Sequence, residues 1–264
     1  MDNAIDDVEF LARSKNRVAI LEALHDAPAS RGDLQEHLDI DRVTLGRILE
    51  AFKERGWIME GETAYETTFV GELVATQFGT IQTTMRGARN LRPLVGRLPA
   101  ESFDFGPEHL VDATVTTAGT GDPYAPLRRF IELTEETEAL RGYDTTTIAP
   151  MYVDELREKI LEGMETDIVF LPPVLEQLVA DYRAEVAEAI ASGHLTLWCA
   201  NELPCGLAIF DDRVGIGAYH PQSGLLDVFL DTADPAVRSW ALDSFTVARE
   251  AAIPFTDWLD EPLE

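Results

Sequence analysis

The stretch DRVTLGRILEAFKERGWI, from Asp41 to Ile58, constrains the fold of this chain more than any other. Its apolar residues recur every three or four positions, which is typical of an amphipathic helix with one buried face. The aspartate that opens the stretch is suited to cap the helix, and Gly56 supplies a left-handed stop at its other end. The predicted buried face consists of Leu45, Ile48, Leu49 and Phe52.

The elements around this helix predict a winged helix-turn-helix over residues 1–68. Residues 5–26 have the apolar stripe of a first helix, and Ser30 with Asp33 forms a capping-box pattern before a short second one. Only a few residues separate that second helix from the helix after Asp41, as a helix-turn-helix requires. The following segment, WIMEGETAYETT, predicts a two-stranded hairpin that would form the wing.

The exposed face of the helix after Asp41 is basic or neutral in its first half and acidic in its second. In helix-turn-helix proteins the N-terminal residues of this helix reach the bases, so the acidic half would leave the groove. Gly46 costs about 1 kcal/mol of helix stability relative to alanine, which a close approach to a partner would explain. The plainer alternative is that the arginines here are solvated surface charges. The predicted DNA contacts are Arg31, Arg42, Val43, Thr44, Gly46, Arg47 and Thr63.

The formal net charge of -27 is distributed unevenly. Residues 1–97 hold 12 Lys and Arg against 16 Asp and Glu, whereas residues 98–264 hold 9 against 32. A carboxylate-rich, lysine-poor surface favours a halophilic source, because self-repulsion is screened within about 3 Å at 1 M salt. An acidic protein from a low-salt cell is the alternative. Docking on DNA is local, so the nearly balanced first part is compatible with it, although counterion release weakens as salt rises.

Residues 69–98 predict a long helix that links two domains. Its apolar positions recur at spacings close to those of a coiled-coil seam, which favours a homodimer. Dimers of helix-turn-helix proteins bind paired half-sites, so the expected partner is double-stranded DNA with an inverted-repeat operator. Packing of the helix against its own domain is the alternative. The seam would comprise Val74, Phe78, Ile81, Met85, Ala88 and Val95.

Residues 99–264 predict an α/β domain with a mixed sheet, because strand and helix patterns alternate there before a meander. The overall class is therefore α/β, or α+β when the winged helix is included. Asp211–Arg213 is interpreted as a hairpin turn rather than a metal or catalytic site. Strands are expected at 112–118, 145–151, 167–173 and 194–200, a meander at 205–232, and helices at 126–140, 152–163, 174–192 and 235–252.

Four stretches of the chain resemble haloarchaeal winged helix-turn-helix regulators of the FilR1-like family. They are LARSKNRVAILEAL, DRVTLGRILEAFKERGWI, DATVTTAGTGDPYAPLRRFIEL and LPCGLAIFDDRVGIGAY, and the resemblance covers nearly the whole chain. Such regulators are similar to TrmB-type archaeal regulators, in which a phospholipase-D-like domain after the winged helix binds effectors. The resemblance implies a transcription factor whose second domain senses a small molecule. The sugar-contacting positions of TrmB relatives do not carry over residue by residue.

Catalytic motifs are absent from the sequence. A phospholipase-D-type site needs an HxK pair, and the residue two positions after each of the five histidines is never lysine. The chain also lacks GxSxG, P-loop and HExxH patterns. We therefore expect no enzyme, no catalytic residue, no cofactor and no metal. A hydrolase with a different active site is the less favoured alternative.

A candidate ligand site lies in GTGDPYAPLRRF, where a predicted strand ends and a helix begins. Ligands of α/β sheets bind at such places, and a helix N-terminus favours an anion. Tyr124, Arg128 and Arg129 would stack on an anionic or sugar-like effector and bind its phosphate or carboxylate. The alternative is that the arginines form salt bridges, for example with Glu132.

The two cysteines, Cys199 and Cys205, suggest a second regulatory chemistry. If their strands pair, the thiols would face each other and form a redox disulfide, and otherwise they are buried small hydrophobes. Without a long apolar run or a signal-peptide pattern, a cytoplasmic protein with no membrane partner is expected. The sequence thus predicts a DNA-binding regulator. A thiol-based redox regulator and a winged helix that binds only protein are the alternatives.

Overall fold

The fold is that of a computed structural model, which describes residues 4–98, 103–146 and 150–260. The chain divides into two compact units, residues 1–83 and 84–264. The division falls inside one long helix, so this helix is shared between the units. The predicted division into residues 1–68, a linker helix over 69–98 and residues 99–264 stays a prediction.

The first unit has the predicted order of a winged helix-turn-helix, preceded by one additional helix. The helix expected over residues 5–26 is interrupted at Ser14, whose backbone is extended with φ -145°. The two pieces therefore lie as separate helices. The elements are α1 (Ala4–Ala12), α2 (Lys15–Asp26), α3 (Arg31–Leu38), α4 (Arg42–Glu54), β1 (Ile58–Glu60) and β2 (Tyr65–Thr67).

Local signals in the sequence fix the ends of α3 and α4. The Ser30 side chain accepts a hydrogen bond from the Asp33 backbone, and the Asp33 carboxylate accepts one from the Ser30 backbone, which completes the predicted capping box. The Asp41 carboxylate accepts hydrogen bonds from two backbone amides in the first turn of α4. Gly56 follows α4 with φ +67°, as predicted. The buried face of α4 is Leu45, Ile48, Leu49 and Phe52.

Helix α5 (Phe69–Leu91) follows the wing directly. Two residues of the predicted seam, Val74 and Phe78, pack against the core of the first unit, so the alternative interpretation holds for them. The helix is shorter than expected because a 3-10 turn follows it at Arg92–Leu94, which leaves Val95 beyond the helix. The exposed apolar side chains that remain on α5 include Val70, Leu73, Ile81 and Met85.

The second unit is built on an eight-stranded mixed sheet, which confirms the predicted fold class. The strand order is β10-β6-β5-β4-β7-β8-β9-β3, with β4, β5 and β6 parallel to one another and the other pairs antiparallel. Two short strands, β3 and β10, form the edges. The strands are β3 (Thr114–Thr117), β4 (Ala139–Asp144), β5 (Glu165–Phe170), β6 (Leu195–Cys199), β7 (Gly206–Ile209), β8 (Val214–Tyr219), β9 (Leu226–Thr232) and β10 (Ile253–Pro254).

Helices cover both faces of this sheet. One face packs against α9, where Val237 and Phe245 join Ile216 and Leu230 in a single cluster. The other face lies under helices that contribute buried residues such as Leu133 to a second cluster. Successive residues of a strand point to opposite faces, so each strand feeds both clusters. The helices are α6 (Ala125–Glu135), α7 (Pro150–Leu161), α8 (Pro172–Ala191), α9 (Pro235–Glu250) and α10 (Phe255–Asp260).

The largest error of the sequence-based prediction concerns β4. The helix expected over residues 126–140 ends at Glu135, and residues 139–144 form a strand instead. Strand β4 lies between β5 and β7, so hydrogen bonds along both of its edges outweigh the local helical pattern. The strand expected at residues 145–151 is wrong as well, because α7 begins at Pro150; residues 147–149 lie outside the described part.

Candidate functional site

The N-terminal half of α4 presents a solvent-exposed face that matches the predicted contact surface. Arg42, Val43 and Arg47 are exposed, and Thr44 and Gly46 are half-buried beside them. Val43 is an outlier on this face, because 82% of this apolar residue is accessible to solvent. The acidic residues, Glu50 and Glu54, follow toward the C-terminal end of the same helix.

Arginines in α2 and α4, and just after α1 and α4, lie close together beside this face. The guanidinium groups of Arg17 and Arg55 lie 3.9 Å and 3.8 Å from the centre of the Phe10 ring. Burial lowers the pKa of Arg17, and the positive charges of Arg47, Arg55 and Arg13 lower it further. Arg55 and Arg13 are paired with Asp7 and Glu9, so Arg17 and Arg47 are the members of this group that no described ion pair neutralises. The sequence pattern does not indicate Arg55, because this residue lies at the acidic end of α4 and only the folded helices bring it near Arg17.

Arg31 lies across α4 at the position of Gly46. A Cβ atom added to Gly46 would be 3.7 Å from the nearest guanidinium nitrogen of Arg31, which is ordinary van der Waals distance. The same nitrogen is 3.5 Å from the hydroxyl oxygen of Tyr65 in the wing. Among the residues that the structure describes, no neighbour therefore requires glycine at position 46.

The wing carries more negative charge than the predicted contact to the DNA backbone would suggest. Thr63, the predicted contact, is exposed at the tip of the hairpin next to Glu62, which is also exposed. Glu60 is engaged inside the unit, since its carboxylate accepts hydrogen bonds from Lys53 at 2.9 Å and from the Tyr65 hydroxyl at 3.0 Å. The contact assigned to Thr63 stays a prediction.

A cavity of about 300 Å³ lies in the second unit. Its walls come from α6, α7 and α8 on one side and from the sheet on the other, near the carboxyl ends of the parallel strands β4 and β5. Ligands of open α/β sheets bind at this place. The lining is mostly apolar and aromatic, and Tyr124 from the predicted site is part of it.

Small residues on β7 and β8 leave room for this cavity. Gly206 and Gly217 lie on its sheet side, where larger side chains would fill the space. A Cβ atom at Gly217 would be 3.0 Å from a methyl group of Leu226, and one at Gly206 would be 3.1 Å from the Tyr219 ring. Side chains of the wall therefore lie flat on the strands, and the space above them stays open.

Asp144 is the one charged side chain on the cavity wall among the described residues. Its carboxylate accepts hydrogen bonds from the Tyr219 hydroxyl at 2.5 Å and from the backbone amides of Thr145 and Thr146 at 2.7 and 3.3 Å. Burial raises the pKa of Asp144 to about 6 despite these three donors. The sequence pattern does not indicate Asp144, because it predicts a helix before this residue and a strand after it, on either side of the true end of β4.

The two adjacent arginines of the predicted ligand site do not line the cavity. Arg129 makes a bidentate contact to Asp231, with nitrogen–oxygen distances of 3.0 and 2.9 Å, and this contact raises the pKa of Arg129. Asp231 is fully buried and also binds Arg213. Arg128 pairs with Asp122 at the surface. Both guanidinium groups are thus engaged in ion pairs, which favours the alternative interpretation, and their contact with an anionic effector stays a prediction.

The two cysteines are not placed to form a redox disulfide, which would require their strands to pair. Strands β6 and β7 are separated by β5 and β4, so Cys199 and Cys205 do not lie on paired strands. The thiols are reduced and buried, and they belong to different hydrophobic clusters. Burial raises the pKa of Cys205 to about 12, which leaves little reactive thiolate at neutral pH.

The turn at Asp211–Arg213 is a hairpin connection between β7 and β8, as predicted. The Asp211 carboxylate accepts hydrogen bonds from the backbone amides of Glu138 and Ala139, which explains its position without a metal. Within the described ranges, no group of three or more His, Cys, Asp or Glu side chains is arranged to hold a metal ion. No described helix is both long and apolar enough to cross a membrane.

Two known protein families each match one part of the chain. Residues 123–251 match the family described as the methanogenesis regulatory protein FilR1, middle domain. Residues 5–90 match the family described as the HVO_A0261 N-terminal domain. Together the two matches support the FilR1-like family that the sequence resembles, and with it a transcriptional regulator. The cavity lies in the part that matches the FilR1 middle domain, and α4 lies in the part that matches the HVO_A0261 N-terminal domain.

Comparison with curated proteins finds no match. Among solved structures, the chain is similar to the archaeal chromatin protein TrmBL2, with 15% identity, a TM-score of 0.45 and coverage of 94% of this chain and 98% of that one. It is also similar to Nuc, a phospholipase D family member from Salmonella typhimurium, with 13% identity, a TM-score of 0.43 and coverage of 55% and 99%. These scores are too low to carry a conclusion, so the FilR1-like assignment rests on the family matches.

Proposed function

We propose that the chain is a homodimeric, sequence-specific DNA-binding regulator of a halophilic archaeon. In this proposal α4 enters the major groove and the second unit senses a small molecule in the cytoplasm. The observation that carries the DNA-binding part is the exposed, otherwise polar face of α4, from which Val43 projects with 82% of its surface accessible. An apolar side chain at this position of a recognition helix suits the methyl group of thymine.

The charges around α4 support the same orientation. Arg42 and Arg47 stand where base edges would lie, while Arg17 contributes positive charge near Arg47. Arginine binds guanine through two parallel hydrogen bonds. The exposed carboxylates of the wing would need bound cations to approach phosphate, which molar potassium would supply.

The proposed dimer contact is the part of α5 that lies in the first unit. Val70, Leu73 and Ile81 are 51%, 51% and 45% exposed, although they are large and apolar. A second copy of the helix would cover them and set the spacing of two α4 helices. Such a dimer would bind an inverted repeat with half-sites about 34–36 Å apart, or a multiple of this distance.

The second unit is proposed to bind its ligand without transforming it. The sequence lacks the HxK pair of phospholipase D chemistry. The cavity wall carries one carboxylate, Asp144, and no described basic partner for it. A ligand there would change the occupancy or geometry of the dimer on DNA.

The first experiment is binding of the purified protein to fragmented genomic DNA of its source in molar potassium chloride, followed by sequencing of the retained fragments. Enrichment of a recurrent inverted repeat is expected. If a folded dimer enriches no fragment at any salt concentration, with or without cell extract metabolites, direct DNA binding is excluded. A protein-binding winged helix then takes its place.

The contribution of α4 is tested by Arg47→Ala. We expect operator binding to weaken by about 1–3 kcal/mol if Arg47 contacts a base. Arg183→Ala is the matched control, because it removes the same charge from an exposed position on α8. An Arg47→Ala variant that folds and binds the operator like the Arg183→Ala variant would remove Arg47 from the contact surface.

A further inference from the structure

The cavity in the second unit has walls that specify a chemical class of ligand. Its surface is mostly apolar, with the aromatic rings of Phe130, Phe229 and Tyr124 among the lining side chains. At about 300 Å³ it is at the small end of ligand pockets, which suits a compact molecule with one or two rings. Tyr124 is 45% exposed, so an aromatic side chain lines the cavity and also reaches solvent.

The single carboxylate on this wall is held in place but is not neutralised. Asp144 accepts hydrogen bonds from Tyr219, Thr145 and Thr146, all of which are uncharged donors. Among the described residues no arginine or lysine lines the cavity, and no ion pair includes Asp144. A carboxylate withdrawn from bulk water without a cation is costly, and the cost is relieved when a positive group binds beside it.

We infer that the cavity binds a small aromatic or aliphatic amine, with the apolar body against α6 and the sheet and the protonated nitrogen against Asp144. The wall excludes an anion, because a negative ligand would lie against an uncompensated negative charge. It also disfavours a sugar, because the wall is mostly apolar and its few polar side chains, among them Gln177 and Ser223, cannot satisfy many hydroxyl groups. The inference deepens the proposed function, since it names the class of molecule that the second unit senses.

Three probes of one shape and different charge test this inference on the whole 264-residue chain. They are tryptamine, which is cationic, 3-ethylindole, which is neutral, and indole-3-propionate, which is anionic. Binding is measured by equilibrium dialysis in potassium chloride without DNA. We expect tryptamine to bind about tenfold or more tightly than 3-ethylindole, because a charged hydrogen-bonded pair is added, and indole-3-propionate to bind weakest.

Two variants separate the carboxylate from the cavity. Asp144→Asn keeps the size of the side chain and should bring the affinities for tryptamine and 3-ethylindole to within about twofold of each other. Ala208→Leu adds volume to the buried sheet side of the cavity and should weaken both probes. Asp212→Asn is the matched control, since this exposed carboxylate lies in the β7–β8 turn and is not part of the wall.

The inference is overturned if the neutral probe binds as tightly as the amine, if the anion binds best, or if Asp144→Asn retains the preference for the amine with the fold intact by circular dichroism. It is also overturned if none of the probes binds. Each of these results leaves the genomic DNA experiment unaffected. Conversely, a protein that binds tryptamine through Asp144 but enriches no DNA keeps the ligand site and loses the proposed regulatory role on DNA.

Discussion

Arg128 and Arg129 show how far two neighbouring residues of one type can differ in role. Arg128 pairs with Asp122 where both side chains are about half exposed, whereas Arg129 reaches Asp231, which has no accessible surface. Exposed ion pairs contribute little because water and salt screen them. A buried carboxylate that loses a partner is left with an uncompensated charge, which is costly. The sequence cannot distinguish the two arginines, since Asp231 is about a hundred residues away.

These two roles predict different effects of the same substitution. Arg129→Ala should lower the free energy of unfolding by about 3 kcal/mol, with Arg213 retaining part of the interaction with Asp231. Arg128→Ala should lower it far less, because water and salt screen this exposed pair. Denaturant titrations of both variants in the same salt give the comparison. Equal effects would show that the Asp231 pair does not support the fold as described.

Asp144 predicts a dependence of stability on pH. Its folded-state pKa, about 6, lies above its ordinary value of 3.8, so between these pH values the folded protein binds more protons than the unfolded chain. Raising the pH through this window therefore lowers the free energy of unfolding. Nearby Cys205 and Tyr143 have raised pKa values and do not titrate in this range.

Asp144→Asn removes this pH-dependent loss. Relative to the native protein, the variant should gain stability by about 1–3 kcal/mol as the pH rises from about 4 to about 7, at roughly 1.4 kcal/mol per unit of pKa difference. Unfolding is measured at several pH values for both proteins, and the carboxylates they share cancel in the difference. A difference that stays constant with pH would mean that Asp144 titrates normally.

At the scale of the element, α4 must be a stable helix and also present an exposed surface to a partner. Gly46 lowers the stability of the helix, whereas a close approach of DNA to the backbone would favour it. The position tolerates a Cβ atom, since Arg31 would lie 3.7 Å from it. Gly46→Ala should therefore raise the free energy of unfolding by up to about 1 kcal/mol. If the backbone here approaches DNA closely, the same variant should bind the operator more weakly. Increased stability with unchanged binding would show that Gly46 has no role in the contact.

The elements that the sequence predicts well are those with local signals. Asp41 and Gly56 mark the ends of α4 within the chain itself, and the capping box of α3 needs only Ser30 and Asp33. Strand β4 has no such signal, because its state depends on pairing with β5 and β7, which come later in the chain. The cavity was missed for the same reason, since its carboxylate, its glycines and its aromatic rings come from separate elements.

At the scale of the whole molecule, the charge distribution follows the domain order. Residues 98–264 carry 32 Asp and Glu against 9 Lys and Arg, and the first part is nearly balanced. Self-repulsion of the acidic part is relieved when salt shortens the Debye length to about 3 Å at 1 M. The division lets one chain be strongly acidic while α4 keeps a locally basic surface.

We expect the melting temperature to rise as potassium chloride increases from about 0.5 M to about 3 M, by about 2–4 °C for each kcal/mol of relieved repulsion. Sucrose of equal osmolality is the control, because it favours the compact state without screening charge. If sucrose stabilises the protein as much as the salt does, charge screening is not the cause. Probes specific to each unit should place the larger gain in the second unit.

The two short edge strands of the sheet affect how readily separate molecules pair through their sheets. Salt that relieves repulsion within one molecule also removes the repulsion between molecules, so a crowded, salty solution gives exposed strand edges the chance to pair from chain to chain. Here one edge is β10, two residues long and ending in Pro254, which has no amide hydrogen to donate, and the other is the four-residue β3. Edges this short give an incoming strand little template, so we expect them to limit pairing from chain to chain where charge no longer does.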